Sequence, residues 1–170
     1  FPGLSIKEQR HLLNESYRIL AENLVLFARI SSFSKAKASK LYNYSQANQL
    51  LDELRAETPG VGLVILTAHY GHFEQLVQAH ALLSRPLSIL ARGFGIDVID
   101  KWWNNQRSLF GNDVFFRKGA YREIISRIKS GRDVVMLIDQ NVKARHATFA
   151  DFFGLPAATT KAPALAALET

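Results

Sequence analysis

The sequence has no cysteine among its 170 residues. That excludes a disulfide framework, a thiolate zinc site and a cysteine nucleophile, and it fits a cytosolic environment. Long apolar runs are missing too. None approaches the roughly 20 residues needed to span a bilayer, and no secretory signal opens the chain. There is no internal repeat, low-complexity tract or clear domain linker. With 48% hydrophobic and 21% charged residues, the composition is that of an ordinary globular chain, and the length suits a single domain with a sizeable core. The chain begins at Phe1 rather than Met and stops at Thr170 inside a helical pattern, so truncation at both ends is expected.

Acidic residues are scarce in one region. Residues 101–146 carry ten basic and four acidic groups, an excess equal to the net charge of +6 on the whole chain. Such a segment fits either a solvated basic face or an acidic partner, which would be phosphorylated lipid, an acidic carrier protein or nucleic acid. No recognised nucleic-acid motif accompanies it, and Trp102, Trp103, Phe115 and Phe116 are better read as core. Nucleic acid is therefore not an expected partner.

Apolar spacing divides the chain into elements. Residues 5–31 read as an amphipathic helix opened by the capping box Ser5-Ile6-Lys7-Glu8, with Leu12, Leu13, Tyr17, Leu20, Leu24 and Phe27 along one face. That face either covers the sheet or rests on a membrane. Residues 31–40 are polar and basic, a loop or weak helix, and 45–56 form a short helix stopped by Pro59-Gly60. Residues 1–60 are thus a helical N-terminal part, and 61–170 an α/β catalytic part. In the latter, strands at 63–66, 87–91, 114–116 and 134–138 alternate with helices at 73–83, 98–109 and 121–129. Residues 147–153 read as a further extended stretch, and Thr159 or Thr160 as the cap of a last helix. The fold class is α/β, a largely parallel sheet flanked by helices.

The stretch from Val61 to Glu74 organises the rest. The apolar run from Leu63 to Leu66 ends in small residues, His69 and Gly71, and a helical pattern follows from Phe73. Five positions separate His69 from Glu74. On one continuous helix they would point about 140° apart. With His69 on the turn and Glu74 in the first helical turn, the chain folds back and the two can meet. A histidine oriented by a carboxylate at a strand's C-terminal end is the physical form of a general base. Arg92, Arg117 and Asp139 likewise follow apolar strands. In a parallel sheet those ends share one edge, where ligands usually bind. A zinc reading of His69, His72 and Glu74 lacks the His-Glu-x-x-His spacing and any further ligand cluster, so no metal is expected.

With these residues in hand, the chain resembles the lysophospholipid acyltransferase superfamily, in its branch of bacterial lipid A late acyltransferases of lauroyl or myristoyl type. The similarity rests on His-x4-Glu at His69 and Glu74, Arg117-Lys118-Gly119, Asp139-Gln140, and Phe153-Gly154-Leu155-Pro156-Ala157-Ala158-Thr159. His72-Phe73 stands where that branch commonly has Asn-Trp, and the x4 spacing selects His69 over His72 as the base. The resemblance implies a glycerolipid-acyltransferase-like fold and acyl transfer from an acyl thioester, carried by an acyl carrier protein, to a hydroxyl of a lipid A precursor or related glycolipid. It implies a His69–Glu74 catalytic dyad, Arg107 and Arg117 holding phosphate or the oxyanion, Asp139 orienting a basic group or the acceptor, and no cofactor. It also implies a phosphorylated glycolipid acceptor, a membrane surface and the cytoplasmic face of the bacterial inner membrane, with the family's membrane anchor absent from this chain. The alternatives are a glycerolipid or phosphatidylinositol-mannoside acyltransferase using acyl-CoA, and a non-catalytic lipid- or carrier-binding homologue.

Overall fold

The computed structural model describes residues 3–116 and 119–170. Helices precede the sheet. The first, α1 (Ile6–Ala28), starts at the expected capping box: Ser5 accepts from the Glu8 backbone while the Glu8 carboxylate accepts from Ser5 N–H at 2.8 Å. A 3-10 turn (Ile30–Ser32) leads into α2 (Lys35–Leu41), where Ser34 caps a stretch read from sequence as loop or weak helix. Then α3 (Ser45–Glu57) runs to the Pro59-Gly60 stop.

The sheet has four strands, β1 (Val64–Thr67), β2 (Ser88–Ala91), β3 (Asp113–Phe116) and β4 (Val134–Leu137), in the order β1-β4-β2-β3. Every pairing is parallel, as the alternation of strands and helices predicted. The crossover helices are α4 (Phe73–Leu83), α5 (Asp97–Arg107) and α6 (Ala120–Lys129), and α7 (Ala162–Glu169) ends the chain. Side chains alternate across β4. Val134 and Met136 pack with Phe115 and with Ile124, Ile125 and Ile128 of α6, whereas Val135 joins Val77 of α4, Leu87 and Ile89 on the other face. Burying each such side chain contributes about 1.5–3 kcal/mol, so both faces of the sheet are anchored. Between β4 and α7, Ala147–Phe152 (β5) and Leu155–Thr160 (β6) form a separate antiparallel hairpin. The second of these strands was not expected, because Pro156-Ala157-Ala158 carries little β propensity.

At the N-terminal edge, Asp133 is fully buried and accepts from Arg55 (2.7 Å), Arg85 (2.7 and 2.8 Å) and the backbone N–H of Leu63 (2.8 Å). It joins α3, the α4–β2 loop, β1 and β4. Beside it, a Cβ on Gly62 would stand 1.9 Å from the Arg132 carbonyl oxygen, so only glycine fits the approach to β1.

Helix α1 does not cover the sheet. Its buried residues are Asn23 and Phe27, which face α4 and α5, and Leu12, Leu13, Tyr17, Leu20 and Leu24 are exposed. Among the described residues no helix is long and apolar enough to cross a membrane.

Candidate active site

The sheet register builds the first half of the site. Thr67 lies opposite Leu137 on adjacent strands, and His69 and Asp139 each stand two residues further on. Equal offsets bring them side by side. The Asp139 carboxylate accepts from the His69 backbone N–H at 2.9 Å and lies 2.8 Å from His69 Nδ1. The backbone bond locks the chain while the side-chain bond turns the ring, leaving Nε2 as the nitrogen available to a ligand. Both side chains stay reachable, His69 at 36% and Asp139 at 30% exposed. Partial burial raises the Asp139 pKa, but the bonds from the His69 ring and backbone outweigh it and hold the carboxyl below its ordinary value. Asp139 is therefore an anion throughout the neutral range.

The expected pairing of His69 with Glu74 is not made. Gly71, at φ +56°, turns the chain, and α4 begins at Phe73, whose ring meets the His69 imidazole edge-on at 5.0 Å between centroids. One residue further, about 100° around the helix, Glu74 points to α5 instead. There its carboxylate accepts from Trp103 Nε1 (3.2 Å) and from Arg107 Nε (3.2 Å) and Nη2 (2.5 Å). This pair is nearly sealed, with Glu74 8% and Arg107 16% exposed. Beside His69, the Nδ1 position that a dyad partner would need is held by Asp139, and the residue of α4 that meets the ring is Phe73.

An aromatic cluster supports that contact. Trp103 stacks on Phe27 of α1 at 4.6 Å and meets Phe94 at 5.0 Å, so α1, α5 and the β2–α5 loop close over Glu74. From α1, Asn23 donates to the Gly71 carbonyl at 2.8 Å, and its Oδ1 lies 3.3 Å from His72 Nδ1. His72 therefore helps dock the turn onto α1. From the sequence Trp103 was read only as core, and Asn23 was not singled out. The first had a signal, since Trp103 and Arg107 are spaced i, i+4 and share a helix face. Asn23 had none, because its partners lie 48 and 49 residues away.

The remaining candidates divide. Arg92 follows β2 and is exposed, with no ion pair among the described residues. Arg117 lies outside the described residues. The basic excess of 101–146 is partly internal. Arg107 pairs with Glu74, Arg127 with Asp113 and Glu123, and Arg132 with Asp113. Among the described residues no group of three or more histidine, aspartate or glutamate side chains could hold a metal ion.

Chemically, an anion that fixes one imidazole nitrogen and leaves the other accessible is suited to taking a proton from a bound hydroxyl. Compared with known proteins, residues 1–170 match a family model described as bacterial lipid A biosynthesis acyltransferase. No curated protein matches the chain.

Proposed function

The chain belongs to the bacterial lipid A biosynthesis acyltransferase family and is an acyltransferase, and we propose that it moves a fatty acyl chain from a thioester on an acyl carrier protein to a hydroxyl of a lipid A precursor or related glycolipid. The observation that carries the mechanism is the His69 imidazole held through Nδ1 by Asp139.

His69 Nε2 takes the proton of the acceptor hydroxyl as its oxygen attacks the thioester carbonyl. The C–O bond forms, the carbonyl electrons move to oxygen, and the oxyanion is met by backbone N–H groups of the turn. Collapse breaks the C–S bond, and the thiolate leaves with the proton returned from His69. Asp139 keeps the imidazole in the tautomer with its proton on Nδ1 and stabilises the imidazolium between the two steps. Glu74 acts indirectly in this scheme. With Arg107 and Trp103 it fixes the first turn of α4, and hence the approach to His69. Arg92 and Arg117 are the cations proposed to meet the acceptor's phosphate groups, at the cytoplasmic face of the inner membrane.

The test is a mass-spectrometric product assay offering carrier-linked and CoA-linked acyl donors with several glycolipid and glycerolipid acceptors. An acylated lipid A precursor made from the carrier-linked donor, and lost in His69→Ala, is the expected product. A glycerolipid product made from acyl-CoA would overturn the substrate assignment. Activity retained in His69→Ala would overturn the mechanism. His72→Asn is expected to keep most turnover, since His72 contacts α1.

A further inference from the structure

We propose a second ligand site, for a phosphate-bearing lipid, in the cleft between the end of α1, the Ile30–Ser32 turn and α2. The cleft encloses about 350 Å³. Leu26, Ile30, Phe33 and Leu41 give it an apolar lining, and Arg29, Lys37 and Lys40 supply its charge. Gln75 of α4, whose Oε1 accepts from the Tyr42 hydroxyl at 3.1 Å, also lines it.

The electrostatics of this region are one-sided. No acidic residue occurs between Glu22 and Asp52, whereas Arg29, Lys35, Lys37 and Lys40 all fall there. Among the described residues none of the four is in an ion pair, and the one side-chain polar contact among the three lining cations is Lys37 Nζ on the Ser32 carbonyl at 2.7 Å. Like charges gathered at one cleft repel unless an anion joins them. Phosphate offers several charged acceptor oxygens to such a set.

The lining then selects what carries the phosphate. Leu41 of the lining is 63% exposed, an arrangement that favours an alkyl chain over a free ion. The size argues for a small ligand, since pockets for such molecules run about 300–1,000 Å³, whereas a stable protein interface needs roughly 800 Å² per partner. The site shares no residue with His69, Asp139, Glu74 or Arg107 and does not depend on the acyl-transfer reading.

The experiment is a calorimetric titration of the whole chain with dihexanoyl phosphatidic acid below its critical micelle concentration. Dihexanoyl phosphatidylcholine and inorganic phosphate serve as comparison probes. Phosphatidic acid is expected to saturate one site, with phosphatidylcholine and phosphate each at least about tenfold weaker. The double variant Arg29→Glu, Lys40→Glu should weaken phosphatidic acid binding by about tenfold or more with an unchanged melting temperature, because both side chains are exposed. Leu41→Ser should weaken it about threefold. His69→Ala should bind as the parent does. Equal affinity for phosphatidylcholine, equal affinity for bare phosphate, or parent-like binding by the double reversal would each overturn the site. Binding lost in His69→Ala would assign the lipid to the catalytic edge and overturn it as well.

Discussion

The amide substitutions Glu74→Gln and Asp139→Asn should fail in opposite ways. At Glu74 the change leaves Arg107, 16% exposed, facing a neutral amide across its two contacts with that side chain. Removing one partner of a buried pair costs about 3–5 kcal/mol. The surviving bond from Trp103 argues for the lower end, about 3 kcal/mol. For a chain of this length that lowers the melting temperature by about 6–12 °C. At Asp139 the pair is roughly one-third exposed, so the loss of stability is at most about 1 kcal/mol. The catalytic cost runs the other way. An asparagine still accepts a bond but supports the wrong tautomer and does not stabilise imidazolium, an exchange that costs about 10⁴ in a Ser-His-Asp triad. With a bound hydroxyl as the nucleophile, a loss of roughly 10²–10³ is expected. Single-turnover transfer at saturating donor, measured on folded protein at a temperature below both melting points, separates the two effects beside a thermal melt. Glu74→Gln should retain most of its turnover once folded. Near-normal turnover in Asp139→Asn, or a parent-like melt with lost turnover in Glu74→Gln, would refute the assignment and restore Glu74 as the histidine's partner.

Three other outcomes follow from buried or strained groups. Burial pushes the His80 pKa down to about 4 from 6.5; the unfolded chain therefore binds a proton that the folded chain refuses as pH falls through that window, and stability present above about 6.5 declines toward pH 4 by up to about 3 kcal/mol. Urea melts of parent and His80→Gln across pH 4–7 check this, and parallel slopes would refute it. Asp133→Ala removes the acceptor of two guanidinium groups and a backbone N–H, so a loss of about 3 kcal/mol or more is expected, and a melting temperature within 2 °C of the parent would contradict it. Phe153 holds φ +55° at 91% exposure, beside Gly154 at φ +78° in a two-residue loop that suits Asn-Gly; Phe153→Asn relieves about 1 kcal/mol of strain against about 0.5 lost from the edge contact with Phe152, so the melt should rise by 1–2 °C, and a fall would show that the ring outweighs the strain.

Periodicity and capping, both local, settled much of this protein before any tertiary contact was known. The Ser5–Glu8 box, the helix at Phe73–Leu83 and the alternation behind a parallel sheet were all legible, because each depends on residues within a few positions of one another. The placement of His69 and Asp139 after apolar strands, and so at one edge, was legible for the same reason. Which strands are neighbours was not. The order β1-β4-β2-β3 sets β1 beside a strand 70 residues later, and that adjacency alone gives His69 its carboxylate. Spacing brought Glu74 close to His69 along the chain, but the turn at Gly71 and the 100° step of the helix direct it toward Trp103 and Arg107. Nor did the apolar stripe of α1 reveal what it faces. A stripe records which side is greasy, whereas packing against α4 and α5 decided that Phe27 and Asn23 are buried and Leu13, Tyr17 and Leu20 are not. Direction and partner are properties of the assembled chain, since they depend on distances between residues that no sequence interval encodes.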